Sequence, residues 1–346
     1  MLRRLFTQRF RNLSDGVLTF ESPHGAVLIG DNNQGKTSVL ESVYYLANFK
    51  SFLRKTTRKT VIRHNTDSAV IGGEFEHCDT VYQRYVKLES NQQWVFQNQE
   101  LLKTHTVAHT QLGADYISAD TIRLFYDSPA FRRHQLDVCV QKKNPTMRTI
   151  YRQYDRVIQQ KIESVKYGRE WPAVYHERWQ ILGTRIVEER HTMLNTLNQH
   201  VQPLIHQFSQ LEHTATQVRY IPVVSDLHSQ PSTPELYRVG PHVDDWGIYI
   251  NDQLVSQYYS RGINRILALI MVSLQIQLTQ PTGQTHRLLL DDPFIELDAG
   301  NKASIMQYLW NHFYCIYATT SASDHPSTLP HLDQFYIQNG CIKPHT

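Results

Sequence analysis

Cysteine is scarce in this sequence of 346 residues, and its four copies lie far apart. Cys78, Cys139, Cys315 and Cys341 include no C-x-x-C pair. This spacing excludes a disulfide framework and a zinc knuckle, both of which need paired or closely spaced cysteines. We therefore expect four free thiols, as is usual for a protein of the reducing cytosol.

Long apolar runs are also missing, since no stretch approaches the roughly 18 residues of a membrane-spanning helix. The segment 2–10 turns polar too soon to be a secretory signal. Charge of one sign is not in excess, because 35 Lys and Arg minus 32 Asp and Glu gives a net charge of +3. The composition predicts no membrane partner, and any nucleic-acid surface has to be local.

The residues that are present predict a folded α/β protein. Apolar residues make up 40% of the chain, which excludes a wholly disordered or fibrous protein. The length predicts two domains or one large one. Short strand-like runs occupy the N-terminal part, at Leu2–Phe10, Val17–Phe20 and Ala26–Ile29.

The middle of the chain has a different periodicity. From about residue 144 to residue 201, apolar residues recur every three or four positions around a break at Gly168–Pro172, which predicts a helical hairpin. After it we expect a helix at Ile263–Leu278, buried strands at Arg287–Leu290 and Phe313–Thr319, and a hairpin turned by Asn339 and Gly340. This order predicts one α/β domain interrupted by an insertion, whose two halves come together in space.

A phosphate-binding loop is the strongest motif. GDNNQGKT matches G-x-x-x-x-G-K-[ST] between a predicted strand and a predicted helix, a context that argues against a fortuitous glycine-rich turn. The glycines permit a tight turn whose N–H groups face phosphate oxygens at a helix start. Lys36 would contact the β- and γ-phosphates, and the Thr37 hydroxyl would coordinate Mg²⁺. We predict nucleotide binding by Gly30, Asp31, Asn32, Asn33, Gln34, Gly35, Lys36, Thr37 and Ser38.

Two aspartates after an apolar run form the second candidate element. Ligands of open α/β sheets collect at the carboxyl ends of strands, where Asp291 and Asp292 follow Leu288–Leu290. We predict that Asp291 holds Mg²⁺ and that Asp292 orients or deprotonates the attacking water. Alone, the pair could end a strand in a solvated turn; the phosphate loop favours the functional interpretation.

A third element is the S-R-G sequence before the helix that begins near Ile263. A serine hydroxyl and backbone N–H groups at a helix start form an anion site, although a simple N-cap would have the same sequence. The residues are Ser260, Arg261 and Gly262.

These elements occur in the order found in ABC-type ATPase heads. Over nearly the whole chain, further stretches resemble the RecF family of bacterial recombination-mediator ATPases. They are Phe10-Arg11-Asn12, Leu40–Leu46, Ile62-Arg63, Asp127–Asp137 (DSPAFRRHQLD), Tyr151-Arg152-Gln153 and Gly240–Asp245 (GPHVDD).

The resemblance implies an α/β fold, namely an ABC-type P-loop ATPase head with a mixed sheet and flanking helices. An inserted, mainly helical lobe would carry a short antiparallel helical hairpin. The implied ATPase lobe comprises residues 1–120 and 265–346, and the helical lobe, with the S-R-G signature, comprises residues 121–264.

The implied function is ATP-dependent DNA binding with weak, DNA-stimulated ATP hydrolysis. A cytoplasmic, nucleoid-associated protein of this kind would act in replication, recombinational repair and the SOS response. Its implied partners are duplex DNA or single-strand/duplex junctions, a second copy joined through ATP, and RecR- and RecO-like proteins.

The resemblance also implies roles for individual residues. ATP and Mg²⁺ would be bound in one subunit by Gly35, Lys36, Thr37 and Asp291. The γ-phosphate would be capped from the second subunit by Ser260, Arg261 and Gly262. Asp298 would reach across that interface, and Arg11 and Asn12 would assist at the phosphates.

Some positions depart from the family pattern. Ile263 stands where glutamine is common after S-x-G, Val243 where a basic residue is usual, and Asp292 where most ABC heads carry glutamate. Thr319 and Thr320 follow the late strand in place of a histidine. Two other functions stay open: the ATPase head of a transport system, and a non-hydrolysing ATP-binding scaffold for protein interactions.

A basic stretch follows the phosphate-loop helix. Such side chains neutralise DNA phosphates without reading sequence, although a solvated charged face would look the same. Its members are Lys50, Arg54, Lys55, Arg58, Lys59 and Arg63. Arg132 and Arg133 have a similar alternative, which is ion pairing with Asp127 or Asp137.

Overall fold

The computed structural model describes most of the chain. It omits residues 54–55, 78–79, 103–111, 170, 209–210, 212–213, 224–238, 281–284, 296, 314, 322–330 and 345–346. The chain forms two compact units, Met1–Asp120 with Gln280–Thr346, and Thr121–Thr279.

Most of the described strands lie towards the two ends of the chain, and the longest helices lie in its middle. The strands are β1 (Leu2–Gln8), β2 (Gly16–Thr19), β3 (Gly25–Ile29), β4 (Ser68–His77), β5 (Thr80–Glu89), β6 (Gln93–Gln97), β7 (Glu100–Leu101), β8 (Leu112–Ser118), β9 (Thr216–Ile221), β10 (Asp245–Ile250), β11 (Gln253–Leu254), β12 (Thr285–Asp291), β13 (Cys315–Thr320), β14 (Asp333–Gln338) and β15 (Cys341–Pro344). The helices are α1 (Lys36–Asn48), α2 (Arg58–Val61), α3 (Ala119–Asp127), α4 (Pro129–Lys143), α5 (Met147–Lys166), α6 (Ala173–Ile205), α7 (Val255–Tyr258), α8 (Arg261–Thr279) and α9 (Ala299–His312).

A mixed sheet in the first unit positions the candidate site. Its described strands have the order β15-β14-β3-β13-β12-β8. All neighbours pair in parallel except β14 and β15, which form the predicted antiparallel hairpin. The phosphate-loop strand β3 and the acidic strand β12 therefore share one sheet with β13 between them. Both ends of the chain build this sheet, as the sequence predicts.

An antiparallel sheet forms the other layer of the first unit. Its described strands have the order β2-β1-β4-β5-β6-β7. Alternate residues of β5 are buried, as expected for a strand with one face on a core. Helix α1 contacts strands of both sheets, and its apolar face of Val39, Leu40, Val43 and Leu46 lies in the shared core. Tyr44, predicted on the same face, is only half-buried.

The second unit is mainly helical. Helices α5 and α6 pack against each other as the arms of the predicted hairpin, and β9, β10 and β11 form a small antiparallel sheet. Helix α6 has 33 residues and continues past the last predicted position, Val201, with Pro203 in its last turns. At 1.5 Å per residue it is about 50 Å long.

Helix α8 differs from the sequence prediction in two ways. Among the described helices, α8 is long and apolar enough to cross a membrane, whereas the sequence predicts no membrane-spanning helix. Of its most apolar 18 residues, 67% are buried, and α8 packs against α4 and α6. Helix α8 is therefore a core helix of the second unit. These contacts also keep α8 in the second unit, whereas the sequence placed the boundary between residues 264 and 265.

The cysteines described by the structure form no disulfide bond. They are Cys139 and Cys315, which are buried, and Cys341, which is exposed. Burial raises the pKa of the Cys315 thiol, as expected for a small apolar side chain of the core. Cys78 lies outside the described residues.

Candidate nucleotide site

The phosphate loop connects β3 to α1 through two glycines that other residues could not replace. Gly35 has φ 114° and is the N-cap of α1. A Cβ atom at Gly30 would lie 2.4 Å from the backbone oxygen of Ile337. The tight turn therefore needs both glycines, and it leaves the first N–H groups of α1 directed away from the helix.

Lys36 and Thr37 are the first two residues of α1 and have different hydrogen-bond partners. The Lys36 ammonium donates to the backbone oxygens of Gly30 at 2.6 Å and of Asp31 at 3.2 Å. The Thr37 hydroxyl donates to the two carboxylate oxygens of Asp291 at 3.0 and 3.1 Å. The two predicted Mg²⁺ ligands are thus adjacent, although 254 residues separate them in the chain.

Three hydroxyl groups surround the Asp291 carboxylate. Besides Thr37, Thr319 donates to Oδ1 at 2.8 Å and Tyr116 donates to Oδ2 at 3.0 Å. Burial raises the pKa of Asp291 above its usual value, against the opposing effect of these three hydrogen bonds. Burial and the Asp291 carboxylate raise the pKa of Tyr116, which therefore keeps its proton and donates. Hydroxyl and carboxylate oxygens are the ligands that Mg²⁺ prefers, so the residues fit this ion.

Asp292 is held in a backbone conformation that is uncommon for residues other than glycine. Its φ is 47°, in the left-handed region, and its N–H donates to the Thr319 hydroxyl at 2.8 Å. Such conformations persist where surrounding contacts enforce them, often at functional sites. Asp292 also lines a cleft of about 550 Å³, within the range of ligand pockets. The other lining residues are Asn12, Asp31, Asn32, Asn33, Gly35, Lys36, Thr37 and Ser38.

Asn12 lies at the cleft, whereas Arg11 faces elsewhere. Asn12 accepts from the Ser38 hydroxyl at 2.8 Å. Arg11 makes two hydrogen bonds of 2.8 Å to the buried Glu41 and one of 2.7 Å to the Thr60 backbone oxygen. These bonds use the Arg11 guanidinium to join α1 to α2, which weighs against its predicted role at the phosphates.

Gln34 braces the phosphate loop from outside the cleft. Its side-chain oxygen accepts from the N–H of Asn339 at 2.6 Å, and its backbone oxygen accepts from Gly340 at 2.9 Å. The turn between β14 and β15 was predicted from Asn339 and Gly340, but its contact with the phosphate loop was not.

Ser260, Arg261 and Gly262 begin α8 in the second unit. Ser260 and Arg261 are exposed, and the Ser260 hydroxyl accepts from the N–H of Ile263 at 3.4 Å. A Cβ at Gly262 would meet only the Ser260 hydroxyl, at 4.0 Å, so the space over this helix start is open.

Asp298 is the N-cap of α9. Its carboxylate accepts from the N–H of Asn301 at 2.9 Å, and this bond is the main reason why the pKa of Asp298 is lowered. The side chain is exposed. Asp298 therefore caps α9, and its place at a subunit interface, which the resemblance implies, stays a prediction.

The basic stretch is partly visible. Lys50, Arg58 and Lys59 are exposed, and Arg58 donates to the backbone oxygen of Asn91 at 2.8 Å. Arg63 forms a 2.7 Å ion pair with Asp15. The remaining members, Arg54 and Lys55, lie outside the described residues.

Arg132 and Arg133 form structural contacts, but not with the predicted partners. Arg132 pairs with Asp245 at 2.6 Å, and Arg133 donates to the backbone oxygen of Asp244 at 2.8 Å. Asp137 instead pairs with Arg190 at 2.8 Å. The prediction of Asp127 or Asp137 was wrong because the partners come from the distant G-P-H-V-D-D segment, which local spacing cannot show.

Tyr116 and Thr319 were not predicted as contacts of the acidic strand. For Thr319 the sequence contains a weak signal, because Thr319 and Thr320 stand where ABC-type heads usually carry a histidine. Tyr116 had none, since its contact with Asp291 depends on the pairing of β8 with β12.

Comparisons with known proteins bear on this site. The chain is 28% identical over 359 residues to the DNA replication and repair protein RecF of Lactococcus lactis subsp. cremoris, with 99% of this chain and 98% of the relative covered. It is 27% identical to RecF of Thermosynechococcus vestitus, with 92% and 90% covered. No family model matches the chain. The RecF resemblance inferred from the motifs is confirmed by these relatives.

Solved structures show the fold. A structure of the recombination mediator protein RecF with ATP, from the RecFOR pathway, superposes with a TM-score of 0.72 at 23% identity and covers 100% of this chain and 97% of its own. An SMC head bound to the C-winged helix domain of ScpA has a TM-score of 0.60 at 12% identity, with 99% and 97% covered. The predicted ABC-type ATPase head fold is confirmed.

Proposed function

We propose that this chain is an ATP-dependent DNA-binding protein of RecF type, in which ATP joins two copies on DNA and slow hydrolysis releases them. The contact between Thr37 and Asp291 carries the proposal, because it assembles a phosphate loop and an acidic strand from the two ends of the chain. The relatives named for DNA replication and repair, and the structure of RecF with ATP, support it.

Nucleotide binding would use the phosphate loop and α1. Lys36 would exchange its bonds to the Gly30 and Asp31 backbone oxygens for bonds to β- and γ-phosphate oxygens. Thr37 and Asp291 would hold Mg²⁺ through oxygen atoms. When bound, Mg²⁺ would neutralise charge on the phosphate oxygens. The N–H groups at the start of α1 would complete the phosphate cradle.

Hydrolysis would depend on Asp292, whose carboxylate would orient the attacking water and accept its proton. An aspartate is one methylene shorter than the glutamate usual in ABC heads, so we expect slow turnover. The Thr319 hydroxyl, which contacts both aspartates, would keep Asp292 directed into the cleft.

Two copies would share each γ-phosphate. Ser260 and Gly262 of one copy are accessible enough to cap a phosphate held by the other. Interactions that ATP makes with both copies and ADP cannot make would drive dimer formation with ATP only. Asp298 would act across the same interface.

DNA would be bound through its phosphates by the exposed Lys50, Arg58 and Lys59. The protein would act in the bacterial cytoplasm, on duplex DNA or single-strand/duplex junctions, and would recruit RecR- and RecO-like proteins in replication and recombinational repair.

The deciding experiment is the mass in solution with ATP, with ADP and without nucleotide. We expect a dimer with ATP and a monomer otherwise. Lys36→Met should lose ATP binding and the dimer, whereas Ser260→Arg should keep ATP binding and lose the dimer. Ser256→Arg, at another exposed serine of the same unit, should behave as wild type. A monomer at saturating ATP would contradict the proposal.

A turnover assay with and without gapped DNA separates the other functions. We expect DNA-stimulated turnover that Lys36→Met and Asp292→Asn abolish. Tight ATP binding with no turnover would instead favour the non-hydrolysing scaffold. Turnover indifferent to DNA would favour the head of a transport system.

A further inference from the structure

An aromatic stack joins the nucleotide cleft to the loop that follows α1. The Phe52 ring lies 3.6 Å from the Tyr116 ring, and their planes differ by 11°. Tyr44 packs its edge against Phe52 at 5.3 Å. The hydroxyl of Tyr116 donates to Asp291 Oδ2 at 3.0 Å. One tyrosine therefore contacts both the loop and the carboxylate expected to hold Mg²⁺.

Phe52 lies within the basic stretch of the sequence. Lys50 precedes Phe52 by two residues, and the exposed Arg58 and Lys59 begin α2 after it. The loop is anchored at Ser51, whose hydroxyl donates to the buried Glu41 at 2.5 Å and accepts from the N–H of Leu53 at 2.9 Å. A force on the Lys50 side chain therefore acts on residues 50–53, which are anchored at Ser51 and include Phe52.

We propose that Phe52 and Tyr116 couple DNA contact at the basic stretch to the orientation of the Asp291 carboxylate, with Tyr116 as a positioning residue for Mg²⁺. The inference rests on the proposed function. Stacking favours contact between the two ring faces, so displacement of Phe52 would remove packing that holds the Tyr116 ring and would change where its hydroxyl points. Hydrogen bonds to a ligating carboxylate fix its orientation, and their loss typically weakens metal binding about 10- to 100-fold.

A purely structural explanation is also available. Phe52 could simply cover the core, and the Tyr116 hydroxyl could simply satisfy its hydrogen bond. Loss of packing would then lower the melting temperature of the variants without changing their Mg²⁺ requirement or their response to DNA.

The test uses two variants, one without the hydrogen bond from Tyr116 to Asp291 and one without the stack of Phe52 on Tyr116. Tyr116→Phe keeps the ring and removes the hydroxyl, whereas Phe52→Leu keeps an apolar side chain and removes the stack. Phe96→Leu is the matched control, because it removes a stack with Tyr85 (centroids 4.8 Å apart) on the antiparallel sheet. Phe52→Tyr, which retains the stack, should restore the properties lost in Phe52→Leu. Melting curves verify that each variant is folded.

The first measurement is the Mg²⁺ concentration needed for half-maximal binding of a fluorescent ATP analogue. We expect Tyr116→Phe to raise it about tenfold and Phe52→Leu to raise it less, with the double variant no worse than Tyr116→Phe alone. The second measurement is the ratio of turnover with gapped DNA to turnover without it, which should fall towards one in both variants while DNA affinity is retained.

An unchanged Mg²⁺ midpoint in Tyr116→Phe, or full DNA stimulation in Phe52→Leu, would overturn the coupling. A wild-type chain whose turnover ignores DNA would contradict the proposed function instead. In that case the Mg²⁺ midpoints of the two variants still decide whether Phe52 and Tyr116 position Asp291.

Discussion

Thr319 donates a hydrogen bond of 2.8 Å to Asp291 from the end of the neighbouring parallel strand. The same hydroxyl accepts the N–H of Asp292 at 2.8 Å. One small side chain thus orients both aspartates of the acidic strand. Thr37 and Tyr116 also donate to Asp291. The carboxylate is therefore oriented by hydroxyl groups, and it can keep hydrogen bonds of this kind when it binds a metal ion.

The raised pKa of Asp291 predicts how its replacement affects stability. Its folded pKa lies above the unfolded value of 3.8 because of burial. The carboxyl group therefore favours the fold at low pH, and this contribution is lost as pH rises from about 3.8 through the folded pKa. At neutral pH without nucleotide, Asp291→Asn should melt at a higher temperature than wild type, and ATP with Mg²⁺ should no longer stabilise it.

Thermal melts of both proteins over a pH series measure this effect. The advantage of Asp291→Asn should shrink as the pH is lowered towards 3.8. Asp67→Asn, at an exposed position of the same unit, is the control for removal of a surface carboxylate. An advantage independent of pH would mean that the charge of Asp291 is not the cause.

The phosphate loop and the strand–helix order could be predicted because they depend on short-range features. Gly35 must adopt a positive φ, and a strand and a helix flank it in the sequence itself. Strand β12 could be predicted from its apolar run, and its place in the phosphate-loop sheet from the order of strands and helices on either side of the helical insertion. These predictions need no knowledge of contacts between distant side chains.

The contacts that the sequence did not predict join residues that are remote in the chain. The guanidinium of Arg11 bonds to the buried Glu41 on α1, and its role at the phosphates, which the resemblance implies, stays a prediction. Tyr116 reaches Asp291 across 175 residues of sequence, through a strand register that no local pattern records. The predicted domain boundary cuts through α8, because the apolar face of a helix does not show which unit covers it.

A buried ion pair in the second unit should be important for stability. Asp137 accepts two hydrogen bonds from Arg190, at 2.8 and 2.9 Å, and Arg190 is only 3% exposed. Asp137→Asn leaves a buried guanidinium without its counter-charge, so we expect a loss of about 3–5 kcal/mol in the free energy of unfolding. Urea unfolding measures this loss.

The control is an ion pair at the surface. Arg185→Gln removes the contact of the half-exposed Arg185 with Glu189, and should cost less than about 1 kcal/mol. Equal losses in the two variants would show that the burial of Arg190 does not determine the effect.

The salt dependence of DNA affinity shows whether the basic stretch binds DNA or is only a solvated charged face. Lys50→Ala with Lys59→Ala removes two exposed charges. If each contacts one phosphate, the slope of log affinity for duplex DNA against log salt should decrease in magnitude by about 2. Lys87→Ala, at a lysine that pairs with Glu89 on β5, should leave the slope unchanged. An unaltered slope in the double variant would place the DNA surface elsewhere.

Asp298 has two roles to distinguish, the N-cap of α9 and a contact across the dimer. Asparagine caps helices about as well as aspartate does, but the lowered pKa of Asp298 means that its charge adds some stability at neutral pH. Asp298→Asn should therefore melt slightly below wild type, and Asp298→Ala a few degrees lower. If the carboxylate also acts on the partner copy, Asp298→Asn should weaken the ATP-dependent dimer several-fold with the cap intact. Sedimentation with ATP measures that affinity. Because only the charge differs in Asp298→Asn, a dimer of wild-type strength would assign Asp298 to the cap alone and leave Ser260 and Gly262 to bridge the two copies.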